Sequence, residues 1–316
     1  MPVTTGLRPH LLGVTASWEL FGRGDDVVVR IQPALGRLTQ TQLPYLQSTG
    51  PVTFLALRDR ALIRPLDVVP GYQVRDGQPA GELGGDLRAG GPLFPGTDPD
   101  HVWMVVGDPG GVELVLVRAD DSRRERALPL PSDAAQYNVI ADGAGSVLLY
   151  GIGGVYAIRS DGLHRITTGD LLAAGPTAWL TLECDERYRC TTFRRDHFGH
   201  ATALPGATLG SGSFGGYTPP GVISPDGTRA AVFQRTQEPA PVLDLVDVRS
   251  GARRRVQVVL VDGADASSVT WSPDSRWLFV LDEGGRLRVV DPTTGAVTEP
   301  LPDLPRLVQL SIRPAP

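Results

Sequence analysis

Along the last fifty residues of the chain, apolar and polar positions alternate in short bursts broken by turn residues. "SSVTWSPD" (Ser267–Asp274) alternates as a strand does. "SRWLFVLDEGG" (Ser275–Gly285) is an apolar run closed by glycines, and "RLRVVDPTTG" and "AVTEPLP" follow as two more. Period-two alternation over four to eight residues, bounded by Gly, Pro, Asp and Ser, predicts half-buried strands joined by tight turns. The same course precedes it in "GVISPDG", "TRAAVFQRTQEP", "APVLDLVDVRSG" and "ARRRVQVVL" (Gly221–Leu260). Each segment therefore predicts four short antiparallel strands. The shared Ser-Pro-Asp reads as turn chemistry, since proline presets φ and the Asp side chain bonds nearby backbone. Gly251 and Gly295 supply the positive φ that a hairpin bulge needs.

Fainter copies run through Tyr137–Gly169, Leu171–Leu204 and Leu93–Leu130, and at least three strands are expected in Ser17–Leu43. Pro51–Gly90 begins in the same way, but its Gly and Pro content blurs the last strands. A period of about 45 residues is that of propeller blades with four strands each. The expected fold is therefore all-β, a seven-bladed β-propeller of four-stranded antiparallel blades in one domain spanning 1–316, with six blades as the alternative. Residues 1–14 are expected as an irregular N-terminal extension. The tail "RLVQLSIRPAP" matches a first strand, and the first convincing strand near Trp18 matches a second. Leu307–Arg313 is thus expected to join the N-terminal blade and close the ring. Stacking blades would bury faces that a lone sheet leaves open.

Ser224–Phe233 and Ser272–Val280 resemble the TolB-type, WD40-like β-propeller repeat, in which Ser-Pro-Asp-Gly precedes an apolar strand. The resemblance covers about a third of the chain directly, two repeats out of a period near 45. It implies a protein whose propeller mediates contacts with other proteins.

Composition narrows the partners. The net charge is −5, whereas nucleic-acid binders usually carry a basic excess that neutralises phosphates, so nucleic acid is not expected. The 38 Gly and 28 Pro have no collagen-like period and fit many short elements. All basic side chains are arginine, and Asn138 is the single asparagine, a pattern that GC-rich coding explains. No stretch of eighteen apolar residues suggests a membrane span, and the opening MPVTTGLRPH is unlike a signal peptide.

Cys184, Cys190, His197 and His200 read as C-x5-C-x6-H-x2-H. Two thiolates and two imidazoles suit zinc, but the blade reading puts the cysteines and the histidines at opposite ends of one strand, so no metal and no cofactor is expected. Across their hairpin the cysteines are expected to form a disulfide, the alternative being a reduced pair. A disulfide implies an oxidising compartment. The chain is accordingly expected to be extracytoplasmic, part of an envelope protein or lipoprotein whose targeting segment it lacks. A membrane link would come only through that missing N-terminal anchor.

No G-x-S-x-G elbow or phosphate loop occurs, and "GSGSFGG" (Gly210–Gly216) reads as a connection between blades. The pairs Asp25/Asp26, Asp120/Asp121 and Asp282/Glu283 fall at hairpin turns, where Asp suits the backbone. Arg253–Arg255 fall on an outermost strand, where charge protects an edge, with partner docking as the alternative. Connections entering successive inner strands gather at a channel mouth, so Tyr137, Asp170, Tyr217, Asp265, Asp303 and Arg306 are the candidate binding residues. The expected function is a noncatalytic binding or scaffold module that contacts an unidentified protein at the bacterial cell envelope. The alternative is a propeller hydrolase or lyase that collects carboxylates and His from several blades.

Overall fold

The computed structural model describes residues 2–6, 16–44, 50–67, 70–89, 91–96, 98–108, 111–130, 138–151, 153–159, 162–205, 219–234, 241–261 and 264–315. Contacts divide the chain into two compact units, Met1–Ser132 with Asp303–Pro316, and Asp133–Pro302.

In the first unit, β1 (Val3–Gly6), β2 (Trp18–Arg23), β3 (Val27–Gln32) and β4 (Arg37–Gln42) share a sheet with the C-terminal strand β29 (Gln309–Pro314). The order is β1-β4-β3-β2-β29, and β29 runs antiparallel to β2 from Trp18↔Pro314 to Arg23↔Gln309. The C-terminal strand thus lies beside the N-terminal strands. Val3–Gly6, expected as part of an irregular extension, forms the opposite edge on β4. Two four-stranded sheets complete the unit. One is β5 (Val52–Ala56), β6 (Arg60–Pro65), β7 (Tyr72–Arg75) and β8 (Gly81–Glu82); the other is β9 (Leu93–Pro95), β10 (His101–Asp108), β11 (Gly111–Arg118) and β12 (Arg124–Pro129). The stretch whose strands were blurred in sequence therefore holds four, followed by a helical turn at Asp86–Ala89.

The second unit contains β13 (Asn138–Ala141), β14 (Val147–Gly151), β15 (Gly154–Arg159) and β16 (Gly162–Thr167) in one sheet. Next come β17 (Asp170–Gly175), β18 (Ala178–Cys184), β19 (Cys190–Arg195) and β20 (Ala201–Ala203), then β21 (Gly221–Ile223), β22 (Arg229–Gln234), β23 (Val242–Asp247) and β24 (Arg253–Arg255). The last sheet is β25 (Val269–Trp271), β26 (Leu278–Leu281), β27 (Leu287–Val290) and β28 (Val297–Thr298).

These pairings correct the expected count of seven four-stranded antiparallel blades. Hydrogen bonding gathers the described strands into six sheets, of which four have four strands, one has five and one has eight. The five arise because β1 adds to β4. The eight arise because β17 and β21 pair in parallel through Ala173↔Gly221 and Ala174↔Val222, fusing two antiparallel halves. Glycine permits the approach: a Cβ on Gly175 would stand 2.5 Å from Ile223 Cβ.

Alternation along the strands builds cores between neighbouring sheets. Phe21 and Val28 of the five-stranded sheet pack with Phe54, Ala61 and Ile63 of the next. Leu172, Leu180 and Leu182 meet Ala230, Val232 and Val246 across the eight-stranded sheet, whose far half sets Phe233 and Leu243 against Trp271 and Leu278. Burial of each such side chain is worth about 1.5–3 kcal/mol, so the sheets are stable as stacked layers rather than singly.

The repeated phrase is a turn in both copies. Ser224 Oγ donates to Asp226 Oδ1 at 2.6 Å and accepts from Arg229 N at 3.0 Å. Ser272 Oγ donates to Asp274 Oδ1 at 2.5 Å and accepts from Trp277 N at 2.9 Å. The two turns also touch, since Ser275 Oγ accepts from Asp226 N at 3.0 Å.

Candidate functional site

One end of the sheet half β17–β20 brings together a candidate from the sequence and the disulfide. Asp170 opens β17 and pairs in register with Leu182, two residues before the end of β18. At that end, Cys184 and Cys190 stand opposite each other and are joined by a disulfide. The bond closes a hairpin of which Asp185 organises the turn, accepting from Arg187 N and Arg189 N at 2.9 Å each and from Arg189 Nε at 2.8 Å. These bonds hold the Asp185 carboxyl below its usual range. Tyr188 sits at the tip with φ of 58°, a left-handed conformation uncommon for a non-glycine residue, and is 88% exposed. A covalent staple and a capped turn thus present an aromatic side chain to solvent. At the other end of β19, Phe198 is 80% exposed on a turn that Asp196 caps in the same manner, through Phe198 N and His200 N at 2.9 Å.

Of the residues proposed from sequence, Asp170 is exposed at the start of β17. Asp265 caps the turn before β25, accepting from Ser267 N at 2.8 Å and Ser267 Oγ at 2.6 Å. Asp303 and Arg306 are exposed ahead of β29, in the other unit. Tyr137, Tyr217 and Gly210–Gly216 lie outside the described residues. Among the described candidates, only Cys184 and Cys190 are brought together by a bond.

The zinc pattern does not converge. Its cysteines are oxidised, and His197, beyond the far end of β19, stands with Nδ1 3.4 Å from Asp142 Oδ2 and its ring 5.1 Å from that of Trp179. Among the described residues, no group of three or more His, Cys, Asp or Glu could hold a metal ion. No helix among them is long and apolar enough to cross a membrane.

Three polar clusters were missed by sequence reasoning. Asp142, 2% exposed, accepts from Ala144 N at 2.8 Å, Ser146 N at 3.0 Å and Trp179 Nε1 at 3.3 Å. Burial pushes its carboxyl up despite those bonds and the neighbouring His197. His101 bridges two acids, with Nδ1 2.7 Å from Asp98 Oδ1 and Nε2 3.0 Å from Glu125 Oε2. The hydrogen bond to Asp98 raises its pKa, and the charges of Asp98 and Glu125 add to the rise against a smaller effect of burial.

The third cluster carries two acids and two arginines. Glu19, 3% exposed, accepts from Arg30 Nη2 at 2.8 Å, Gln32 Nε2 at 2.7 Å and Arg313 Nη2 at 2.6 Å. Arg313, 2% exposed, also donates to Leu57 O at 2.5 Å and lies 4.8 Å from the centre of the Phe21 ring. Asp76 contacts both guanidiniums, at 2.7 Å from Arg30 and 3.1 Å from Arg313. Burial raises the Glu19 carboxyl, but Arg30, Gln32 and Arg313 outweigh it and leave it below its usual range. The signal available in sequence was one carboxylate inside the apolar strand "WELFG".

In sequence the chain matches no family model and no curated protein. In structure it is similar to a functionally unknown protein from Desulfotomaculum acetoxidans, with 11% identity, 94% of this chain and 99% of that one covered, and a TM-score of 0.57. It is similar to an oligogalacturonate lyase solved in complex with manganese, with 11% identity, 89% and 87% covered, and a TM-score of 0.57. TolB from Acinetobacter baumannii superposes with 12% identity over 94% and 82%, at a TM-score of 0.49. At such identities the likeness shows the fold alone. The likeness shows a β-propeller fold.

Proposed function

We propose that this chain is a noncatalytic binding module that contacts a protein partner at the bacterial cell envelope, as the TolB-like repeat implies. The observation that carries the reading is the stapled hairpin at 184–190, which holds Tyr188 out in solvent beside Arg187. Tyrosine and arginine are enriched where interfaces concentrate their energy, and a pre-stiffened loop loses less entropy on binding. Asp170 opens β17 at the same end of the sheet. The disulfide fits an oxidising, extracytoplasmic setting.

Photocrosslinking tests this reading. A photoreactive phenylalanine placed at 188 in source cells should give a discrete crosslinked protein band, whereas the same group at exposed Val259 should not. Identical patterns from the two positions, or none, would refute it.

A second reading, a propeller lyase or hydrolase, is favoured by Asp142, a buried carboxyl with raised pKa beside His197. Incubation with oligogalacturonate and manganese would decide for it if an ultraviolet-absorbing unsaturated product accumulated and was lost in Asp142→Asn.

A further inference from the structure

We propose that the free edge of β24 takes up an extended acidic protein segment as an added strand. The proposal rests on the reading of the chain as a protein-binding module and supplies the chemistry of a partner. β24 consists of Arg253, Arg254 and Arg255, all exposed, and among the described residues it pairs only with β23. Its register fixes what the edge offers. Asp247 N donates to Ala252 O at 2.9 Å or less, as Val256 N does to Leu243 O; since hydrogen-bonded and non-hydrogen-bonded pairs alternate in an antiparallel ladder, Leu245↔Arg254 is bonded and Val246↔Arg253 and Asp244↔Arg255 are not. The N–H and C=O groups of Arg253 and Arg255 therefore point outward, where an incoming strand would meet them.

The side chains alternate between the two faces of the sheet. Arg253 and Arg255 share the face of Val246 and Asp244, and Arg255 Nε donates to Asp244 Oδ1 at 3.0 Å while its side chain stays 47% exposed. Arg254 takes the opposite face, with Nη1 donating to Thr293 O at 2.7 Å. Beside it lies a groove of about 200 Å³ lined in part by Arg229, Pro292 and Thr293. The nearby acids are already engaged: Asp247 accepts from Ser250 N and Oγ, and Asp291 from Thr293 N and Thr294 N. A strand with consecutive acidic residues would meet an arginine on each face, and opposite charges across a pair stabilise a sheet where like charges destabilise it. A second copy of β24 is disfavoured for the same reason, since it would set Arg against Arg. Other outer strands differ: β12 mixes Arg124 and Arg126 with Glu125, and β20 is Ala-Thr-Ala.

Fluorescence anisotropy with a labelled Thr-Val-Glu-Glu-Glu-Val-Thr peptide tests this. The wild-type chain should bind it, N-methylation of alternate peptide amides should abolish binding, and Arg253→Glu should weaken binding at least tenfold with an unchanged melting temperature. Arg253→Glu should also bind the matching Lys-Lys-Lys peptide more tightly than the wild type does. No binding of the acidic peptide would overturn the proposal. So would equal binding of the N-methylated peptide, or equal affinity for heparin, either of which would reduce the edge to a general attraction for polyanions. Tyr188 lies on another sheet half, so failure here leaves the crosslinking result to judge the wider reading.

Discussion

Replacing Arg313 with methionine removes the most enclosed cation of the first unit. Its guanidinium reaches Glu19 at 2.6 Å, Leu57 O at 2.5 Å and Asp76 at 3.1 Å, and stands over Phe21. Methionine fills much of the volume but bonds none of these groups. Breaking a buried pair by removing one partner typically costs about 3–5 kcal/mol, because the remaining charge stays desolvated. Here Glu19 keeps Arg30 and Gln32, which places the expected loss at the lower end, about 3 kcal/mol. At a slope near 2 kcal/mol/M, equilibrium urea unfolding should show a midpoint lowered by about 1.5 M. The double variant Glu19→Gln/Arg313→Met removes both charges, so its cost should fall clearly below the sum of the two single costs. A single-variant loss under about 1 kcal/mol, or strict additivity in the cycle, would refute the argument that these charges act as one buried network.

Two further expectations follow from the site geometry. Because the folded pKa of His101 is raised, its bridge contributes fully below the unfolded value near 6.5 and is lost as pH rises through the higher folded value; His101→Gln should therefore destabilise more at pH 5.5 than at pH 8.5, by urea unfolding, and an equal effect at both would contradict the bridge. The Cys184–Cys190 link closes a loop with a sequence separation of 6, for which chain entropy gives about 2 kcal/mol; reduction should lower the melting temperature measurably, and an unchanged melt would show that the hairpin does not depend on its staple.

Local features were legible in the sequence and distant ones were not. The Ser-Pro-Asp turns, the strands around Phe233 and Phe279, and the cross-hairpin cysteines depend on neighbours a few residues away, so spacing and turn chemistry reveal them. The fusion of β17 with β21 brings Gly175 against Ile223 of the other sheet half, and no alternation pattern records such an approach. Glu19 and Arg313 are 294 residues apart, so an isolated Glu in an apolar strand gave no hint of its partner. Asp142 carried no sequence signal, since Trp179 and His197, which stand beside it, come from a neighbouring sheet half. The His101 bridge could not be read from sequence because Glu125 comes from an outer strand 24 residues on. Tyr188 had no sequence signal beyond its place between the cysteines.

The central structural claim is that the N-terminal sheet is completed by a strand from the far end of the chain. A protein ending at Arg306 tests it directly by thermal unfolding, with a synthetic peptide of residues 307–315 added back. The account predicts a lower melting temperature, since Leu307 fills the space beside Gly22 and β29 pairs along all of β2, and recovery when the peptide binds. A shortened chain that melts as the full one does, with no response to the peptide, would contradict it.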